Sequence, residues 1–244
     1  MDNKKKAIKK RDFRCKAHCS SFKKDGLDIP KDPYNIDWTE YFLNGKKPDF
    51  IDIGCGYGKF LQISSDLYRN KNILGLEIRL KVFEYVKAKI EQRKDENIGV
   101  IHTNALLFLP NIIKPKSLEK IFILYPDPHF KKSKQKGRVA CKQNMAVFDY
   151  ILKDDGLIYI STDVEHLFKD MCKTFDESGF FVAYKTDFCD FTKKEEENKK
   201  EEENKREEEN KDKKIFEACY KNTDEAHRAG AKSGGAFARI YIKK

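Results

Sequence analysis

The 244-residue chain lacks any apolar run long enough to cross a bilayer, which takes about 20 consecutive residues. Its first residues also lack the apolar stretch of a secretory signal peptide. These two absences predict a soluble protein that is not inserted in a membrane.

A disulfide framework is missing as well, because the seven cysteines are odd in number and follow no recurrent spacing. Free thiols in a reducing compartment are therefore expected. The group Cys-x-x-His-Cys at 15–19 has the residue types of a metal corner, but no second ligand pair is spaced to complete a zinc site. We predict that the protein holds no metal.

Acidic residues are too few to balance the basic ones, so the net charge is +10. The excess is local, since residues 1–24 contain ten Lys and Arg against two Asp, and residues 126–142 contain six against one. Local positive charge favours nucleic acid or an anionic membrane surface as partner. Residues 1–24 have few large apolar groups and are predicted to form a flexible basic arm.

Short apolar strands alternate with amphipathic helices from residue 49 onward. The helix predicted at 79–92, for example, places Val82, Val86 and Ile90 on one face. Strands are predicted at 49–54, 72–77, 98–103, 120–125, 156–162, 180–185 and 236–242, and helices at 58–67, 79–92, 104–110, 141–153 and 163–178. This alternation predicts an α/β fold with parallel βαβ units, whose last two strands pair antiparallel at one edge.

Residues 193–214 repeat the six-residue unit [KR]-E-E-E-N-K three times without one apolar residue. The period and the missing apolar seam exclude a coiled coil, although Glu–Lys pairs can support transient helix. We predict a disordered, low-complexity charged insertion inside a single domain of residues 25–244.

A glycine-rich turn, "DIGCGYG" (52–58), follows the first predicted strand, and Glu77 ends the second strand nineteen residues after Gly58. Glycines let a ligand approach the main chain, and an acid at that place can accept hydrogen bonds from ribose hydroxyls. The G-x-G-x-G spacing differs from the G-x-G-x-x-G of dinucleotide folds. It resembles the S-adenosylmethionine (SAM) loop of class I methyltransferases, and a ligand-free tight turn is the alternative.

Two further segments lie at the predicted carboxyl edge of the sheet. Asn104 follows the third strand, where it can contact an adenine, cap a helix, or do both. The fourth strand runs into "YPDPHFKKSKQKGR" (125–138), where Pro126 and Pro128 stiffen the backbone around Asp127. The basic residues that follow are predicted to bind RNA phosphates, with a solvated loop as the alternative: Lys131, Lys132, Lys134, Lys136 and Arg138.

Six motifs resemble those of the tRNA (guanine-N7)-methyltransferases in the same order, over 49–192 and 215–242. They are "DIGCGYGKFL", "LGLEIR", "NA", "YPDPHFKKSKQKGR", "STDV" and "TDEAHRAGAKSGGAFARIY", and "STDV" departs mildly from the family's pattern. The segment "KAHCSSF…DIP…DW" (16–38) resembles the eukaryotic branch, whose catalytic subunit works with a WD-repeat β-propeller subunit.

The resemblance implies a Rossmann-like class I SAM-dependent methyltransferase fold, with a mostly parallel seven-stranded sheet and helices on both faces. It implies methyl transfer from SAM to N7 of the guanosine at position 46, in the variable loop of tRNA. Asp127 is implied as the active-site acid. The implied SAM pocket comprises Gly54, Glu77, Arg79, Asn104, Ala105, Leu124, Thr223 and Glu225, the last two beside the methionine end of SAM.

Other functions stay open from the sequence alone. The chain could be a SAM-dependent RNA methyltransferase acting on another base position, or a catalytically silent RNA-binding subunit. The roles of His129 and Phe130, which can belong to the core or touch substrate, are also open. The basic arm suits a nuclear import signal or a tRNA contact, so the nucleus is the expected location, with the cytoplasm as the alternative.

Overall fold

A computed structural model describes residues 8–15, 20, 24–130, 137–184, 203–221, 223 and 236–244. The strands are β1 (Phe50–Ile53), β2 (Ile73–Glu77), β3 (Ile98–His102), β4 (Leu118–Leu124), β5 (Leu152–Thr162), β6 (Phe181–Ala183) and β7 (Phe237–Lys243). The helices are α1 (Lys59–Leu67), α2 (Leu80–Arg93), α3 (Ala105–Ile112), α4 (Lys142–Ile151), α5 (Glu165–Glu177) and α6 (Glu203–Lys221). Two 3-10 turns, Lys10–Phe13 and Trp38–Glu40, precede β1.

The strands form one sheet in the order β3-β2-β1-β4-β5-β7-β6. The first five strands of that order pair in parallel, while β7 is antiparallel to both β5 and β6. This confirms the predicted α/β class, the mostly parallel seven-stranded sheet and the antiparallel pairing of the last two strands. A central parallel sheet must be covered on both faces, which is why β1, β2 and β3 are buried throughout.

Helices cover the two faces of the sheet with separate apolar clusters. On one face, α1 and α6 contribute side chains such as Phe60 and Phe216 to a core that includes Phe122 of β4. On the other face, α4 and α5 pack Phe148 and Phe175 against the sheet. Each helix thus buries one apolar stripe, as its 3.6-residue period requires. In the part of the chain that is described, no helix combines the length and hydrophobicity needed to span a membrane.

Helix α3 departs from its predicted end at Pro110. The helix continues to Ile112, and the amide of Ile113 still donates to the carbonyl of Leu109. Pro110 removes one backbone donor, but burial of Leu109 and Ile112 outweighs that loss.

Residues 203–214 of the charged repeat lie in the first turns of helix α6. Helix α6 is anchored by its last two turns, where Ile215, Phe216 and Cys219 are buried. Its preceding Glu- and Lys-rich turns extend that anchored helix, as the repeat's helix-forming composition allows. Residues 193–202 lie outside the described part of the chain.

Part of the predicted basic arm packs on the domain. Phe13 makes an edge contact with Tyr85 of α2, with ring centroids 5.6 Å apart. The ammonium of Lys10 lies 5.1 Å from the ring centroid of Tyr57 in the glycine-rich turn. Residues 8–15 therefore have a defined position, whereas residues 1–7, 16–19 and 21–23 lie outside the described part.

Candidate functional site

The carboxyl ends of β1, β2, β3 and β4 meet at one edge of the sheet because these strands are adjacent and parallel. Gly54 follows β1, Glu77 ends β2, Asn104 follows β3 and Leu124 ends β4. The topology thus places four predicted cofactor residues at the edge where doubly wound folds bind ligands.

The glycine-rich turn adopts a backbone that favours glycine at each of its three glycines. Gly54, Gly56 and Gly58 have φ of 80°, 55° and 75°. A Cβ added at Gly54 would meet no atom within 4 Å, so open space lies in front of this backbone. A Cβ at Gly58 would come within 3.1 Å of Val86, so that glycine serves the packing of α1 against α2. The turn therefore exposes its main chain to a ligand at its first glycine.

Glu77 is buried and gathers donors from the turn and from Arg79. Its Oε2 accepts from the amide of Gly56 at 3.2 Å and from Arg79 Nη2 at 2.8 Å. Its Oε1 accepts from the amide of Arg79 at 2.9 Å and from Arg79 Nε at 3.0 Å. Two of these four bonds come from the Arg79 guanidinium, which is a movable side chain. If Arg79 moves, ribose hydroxyls can donate to the same Glu77 oxygens. These hydrogen bonds fix the Glu77 side chain and aim it at the turn.

The residues after β3 combine a cap with a possible base contact. The Asn104 side chain accepts from the amide of Leu106 at 3.2 Å, which confirms it as the N-cap of α3. Ala105 begins that helix and is half-buried, and Leu124 lies buried at the end of β4. These residues are in place to border an adenine, and that role stays a prediction.

The proline loop after β4 contains two residues in the left-handed region, on either side of Asp127. Tyr125 has φ 51° and His129 has φ 43°. Such values cost energy for residues other than glycine and persist only where the surroundings impose them. Asp127 is half-buried, while Phe130 is 69% exposed and therefore does not belong to the core.

Arg138 does not occupy the surface position predicted for a phosphate contact. It is only 8% exposed, its Nε donates to the carbonyl of Pro128 at 2.8 Å, and its Nη1 pairs with Asp170 Oδ2 at 2.7 Å. Burial and these two acceptors commit the guanidinium to the protein itself. The other predicted RNA-binding residues, Lys131, Lys132, Lys134 and Lys136, lie outside the described residues.

Two residues that sequence reasoning missed attach α6 to the same edge. Tyr125 Oη donates to the carbonyl of Tyr220 at 2.8 Å, and Ser161 Oγ donates to the carbonyl of Cys219 at 2.8 Å. Carbonyls in the last turn of a helix lack internal partners, so these hydroxyls satisfy them. Thr223 follows this turn and is buried, while Glu225 lies outside the described residues. No sequence pattern links either hydroxyl to a helix so distant in the chain.

Two buried thiols lie close to this edge. Burial, with the nearby carboxylate of Asp52 adding to it, raises the pKa of Cys55 and of Cys219 well above the ordinary thiol value. Both thiols are thus kept protonated and act as small apolar groups. Among the described residues, no cluster of His, Cys, Asp and Glu could hold a metal ion.

The residues present fit a nucleoside cofactor without phosphates. The open backbone at Gly54 admits a ligand, and Glu77 offers acceptors to ribose hydroxyls. SAM carries a ribose and an amino acid but no phosphate, so a carboxylate beside the turn does not repel it.

Comparisons with known proteins identify the family of this chain. Residues 46–218 match a family model described as "Putative methyltransferase". The tRNA (guanine-N(7)-)-methyltransferase of Aedes aegypti is 38% identical over 75% of this chain and 78% of that protein. Its Caenorhabditis elegans counterpart is 32% identical over 95% and 87%, and that of Bombyx mori is 34% identical over 95% and 94%. Among solved structures, the precorrin-6y C5,15-methyltransferase of Geobacter metallireducens is a distant likeness, with a TM-score of 0.43 and 15% identity over 66% of this chain and 80% of that chain.

Proposed function

We propose position 46 of the variable loop as the target of this chain, which belongs to the tRNA (guanine-N7)-methyltransferase family. The chain transfers the methyl group of SAM to N7 of guanosine in tRNA. The proposal rests on the motif resemblance together with one structural observation. That observation is the strained proline loop, which carries Asp127 at the carboxyl end of β4, the strand next to the glycine-rich turn of β1.

The reaction places few demands on proton transfer. N7 of guanine carries a lone pair in the ring plane and no proton, so the enzyme needs no general base to free it. SAM, when bound, supplies an electrophilic methyl group on its sulfonium. The chain's own task is to hold the acceptor base in line with that methyl group, and such alignment accounts for much of the rate.

The proposed role of Asp127 is to bind the guanine and offset its charge. Methylation leaves the purine cationic, and a fixed carboxylate stabilises that developing charge. The same carboxylate can accept from guanine N1–H and the exocyclic amino group, which would orient the base. A base inside folded tRNA must leave its stack to reach such a pocket.

The basic residues beyond Asp127 divide the work of recognition with it. In this proposal Lys131, Lys132, Lys134 and Lys136 bind phosphates, which position the tRNA without reading its sequence. One acid among many lysines is then understandable, because the lysines hold the backbone and the acid reads the base.

We further propose a WD-repeat β-propeller as the non-catalytic partner and the nucleus as the location. The segment 16–38, which resembles the eukaryotic branch, supports the partner. The apolar side chains of Tyr34 and Leu43, which are 63% and 68% exposed, are available in and just after that segment. The basic arm supports nuclear import.

The test is transfer of a labelled methyl group to purified tRNA, with nucleoside mass spectrometry and position mapping. We expect 7-methylguanosine at position 46, no labelling of a tRNA that carries adenosine there, and higher turnover with the propeller subunit.

Asp127→Asn should lose at least about a hundredfold in kcat while binding SAM normally. Asp155→Asn is the matched control, since Asp155 is exposed near the start of β5, at the opposite edge. Near wild-type turnover of the Asp127 variant would refute its role, and a methyl group elsewhere on the tRNA would refute the target.

A further inference from the structure

The guanidinium of Arg138 joins the proline loop to helix α5. Its Nε donates to the carbonyl of Pro128, one residue after Asp127, at 2.8 Å. Its Nη1 pairs with Asp170 Oδ2 at 2.7 Å. One planar group therefore bridges the loop and a helix, and the two contacts come from different nitrogens of its rigid fork.

The helix at the other end of this bridge is firmly seated. Helix α5 buries Leu167, Met171 and Phe175 against the sheet, so the backbone that carries Asp170 is fixed. His166 Nε2 lies 3.4 Å from the same Oδ2 of Asp170, one turn earlier on the helix. Asp170 is thus held between a neighbour on its own helix and the guanidinium of Arg138.

The two prolines limit the number of backbone hydrogen bonds that the proline loop can donate. Pro126 and Pro128 have no amide hydrogen, so their carbonyls are the only backbone groups they can offer. The β4 end of the loop is anchored by Tyr125, whose amide donates to the carbonyl of Ser161 at 2.8 Å. At the far end His129 has φ 43°, and the bond from Arg138 to the adjacent Pro128 carbonyl helps to impose that conformation.

We propose that Arg138 is a positioning residue for the methyl transfer, and that Asp170 in turn positions Arg138. The bond to the Pro128 carbonyl sets where the Asp127 carboxylate stands, so the pair governs turnover rather than tRNA affinity. The inference rests on the proposed role of Asp127. It replaces the reading of Arg138 as a phosphate contact, which its burial and its two internal acceptors oppose.

A lysine cannot substitute for arginine in this role. The ammonium group is a single point of charge, whereas the guanidinium places two donors at a fixed separation toward two different acceptors. Displacement of a catalytic group by about 1 Å costs on the order of a hundredfold in rate. Arg138→Lys should therefore behave like Arg138→Met in kcat and not like the wild type.

The experiment measures steady-state methyl transfer to tRNA and SAM affinity for Arg138→Lys, Arg138→Met, Asp170→Asn and the double variant Arg138→Met with Asp170→Asn. We expect kcat to fall roughly ten- to a hundredfold, while KM for tRNA and Kd for SAM stay within about twofold. The double variant should be no slower than Arg138→Met alone, because both changes break one bridge. Asp170→Asn keeps the shape of the side chain, and a melting curve shows whether each variant is folded.

The matched control is Lys169→Gln, which breaks the exposed ion pair of Lys169 with Glu165 on the same helix. It should leave kcat and both affinities unchanged. A raised KM for tRNA with unchanged kcat, together with a weaker salt dependence, would show that Arg138 contacts phosphate and overturn the inference. Wild-type kcat in Asp170→Asn would overturn it as well. If Asp127→Asn is inactive while the Arg138 and Asp170 variants are normal, only this inference fails; if Asp127→Asn is active, the proposed function fails first.

Discussion

Glu77 and Asp127 show how one residue type is suited to two tasks by its surroundings. Glu77 is enclosed at the end of β2 and accepts from a backbone amide of the glycine-rich turn. Asp127 stands on a half-buried loop whose neighbours are two prolines and whose backbone is strained on both sides. The first carboxylate is fixed by a backbone amide and by Arg79, whereas the position of the second depends on how its loop is held. The position of the Asp127 carboxylate should therefore respond more strongly than that of Glu77 to substitutions at distant residues that anchor its loop.

The reactivity of individual thiols follows from their burial. Burial raises the pKa of Cys55 and of Cys219, whereas Cys15 is exposed and Cys141 half-exposed. Only the thiolate reacts, so we expect iodoacetamide to label Cys55 and Cys219 in the folded protein roughly a hundredfold more slowly than Cys15. Peptide mass spectrometry over a time course measures the four rates. In urea the rates should converge, and labelling of Cys55 as fast as Cys15 in the folded protein would contradict its enclosure in the turn.

For single residues, the sequence predicts the chemical role of a side chain better than it predicts the environment of that side chain. The turn glycines and Glu77 could be placed because strand, turn and helix occur together in the sequence. The buried position of Arg138 could not be predicted, because in the sequence it looks like any other basic residue of the run. Its partner Asp170 lies on a later helix. The left-handed backbone of Tyr125 and His129 was equally hidden, since nothing in their side chains favours it.

At the scale of elements, strands and helices with an apolar period were found, and α6 was missed. The six-residue repeat contains no apolar residue, so it resembles solvated chain. The anchor, Ile215 to Cys219, spans little more than one turn and cannot be told from a strand by pattern alone. Tertiary contacts decide the matter, and they extend back into the repeat at Asp212.

Asp212 gives the repeat a structural contact that can be tested. It pairs with the ammonium of Lys120 at 2.7 Å and accepts from the hydroxyl of Tyr68. Lys120 is 12% exposed on its side chain and lies among three aromatic rings, so loss of its counter-ion leaves a buried charge. We expect Asp212→Asn to lower the free energy of unfolding by about 1–2 kcal/mol in urea titration. Lys213→Gln, at an exposed neighbour, should change it little, and reduced kcat in the folded Asp212 variant would contradict a purely structural role.

The glycine-rich turn depends on Gly75 in the neighbouring strand β2. A Cβ at Gly75 would lie 2.7 Å from the Cys55 sulfur and 2.7 Å from a methyl of Leu61, so Gly75→Ala must displace the turn or α1. Gly99→Ala in β3 is the matched control, because the nearest atoms to its Cβ would belong to Phe42, at 2.8 Å, and not to the turn. We expect both variants to lose about 1–3 kcal/mol of stability. Only Gly75→Ala should also bind SAM about tenfold more weakly, a difference of about 1.4 kcal/mol by isothermal titration. Equal SAM affinity in the two variants would show that the turn adapts.

Across the whole molecule, the candidate site and the structural ion pairs lie at opposite edges of the sheet. The carboxyl edge carries the glycine-rich turn and the proline loop. The opposite edge contains ion pairs such as that of Lys153 with Glu119, which balance charge locally. The net charge of +10 is therefore not spread evenly over the surface, and its excess lies in the arm and in the run after Asp127. The fold could be predicted because the hydrophobic period of its strands and helices can be read from the sequence. The balance of charge at each edge of the sheet could not, because it depends on which lysines form ion pairs with which acids.

This separation predicts which lysines control the salt dependence of tRNA binding. Each phosphate contact adds roughly 0.7–0.9 to the slope of log K against log salt concentration. Changing Lys131, Lys132, Lys134 and Lys136 to Gln should therefore reduce the slope by roughly three, with affinity measured by filter binding from 50 to 300 mM salt. Lys116→Gln with Lys153→Gln is the control, because both lysines pair with acids at the opposite edge of the sheet, and that pair should leave the slope unchanged. If each lysine of the control pair lowers the slope as much as each lysine of the run, the tRNA is held by general charge and the run has no special place in recognition.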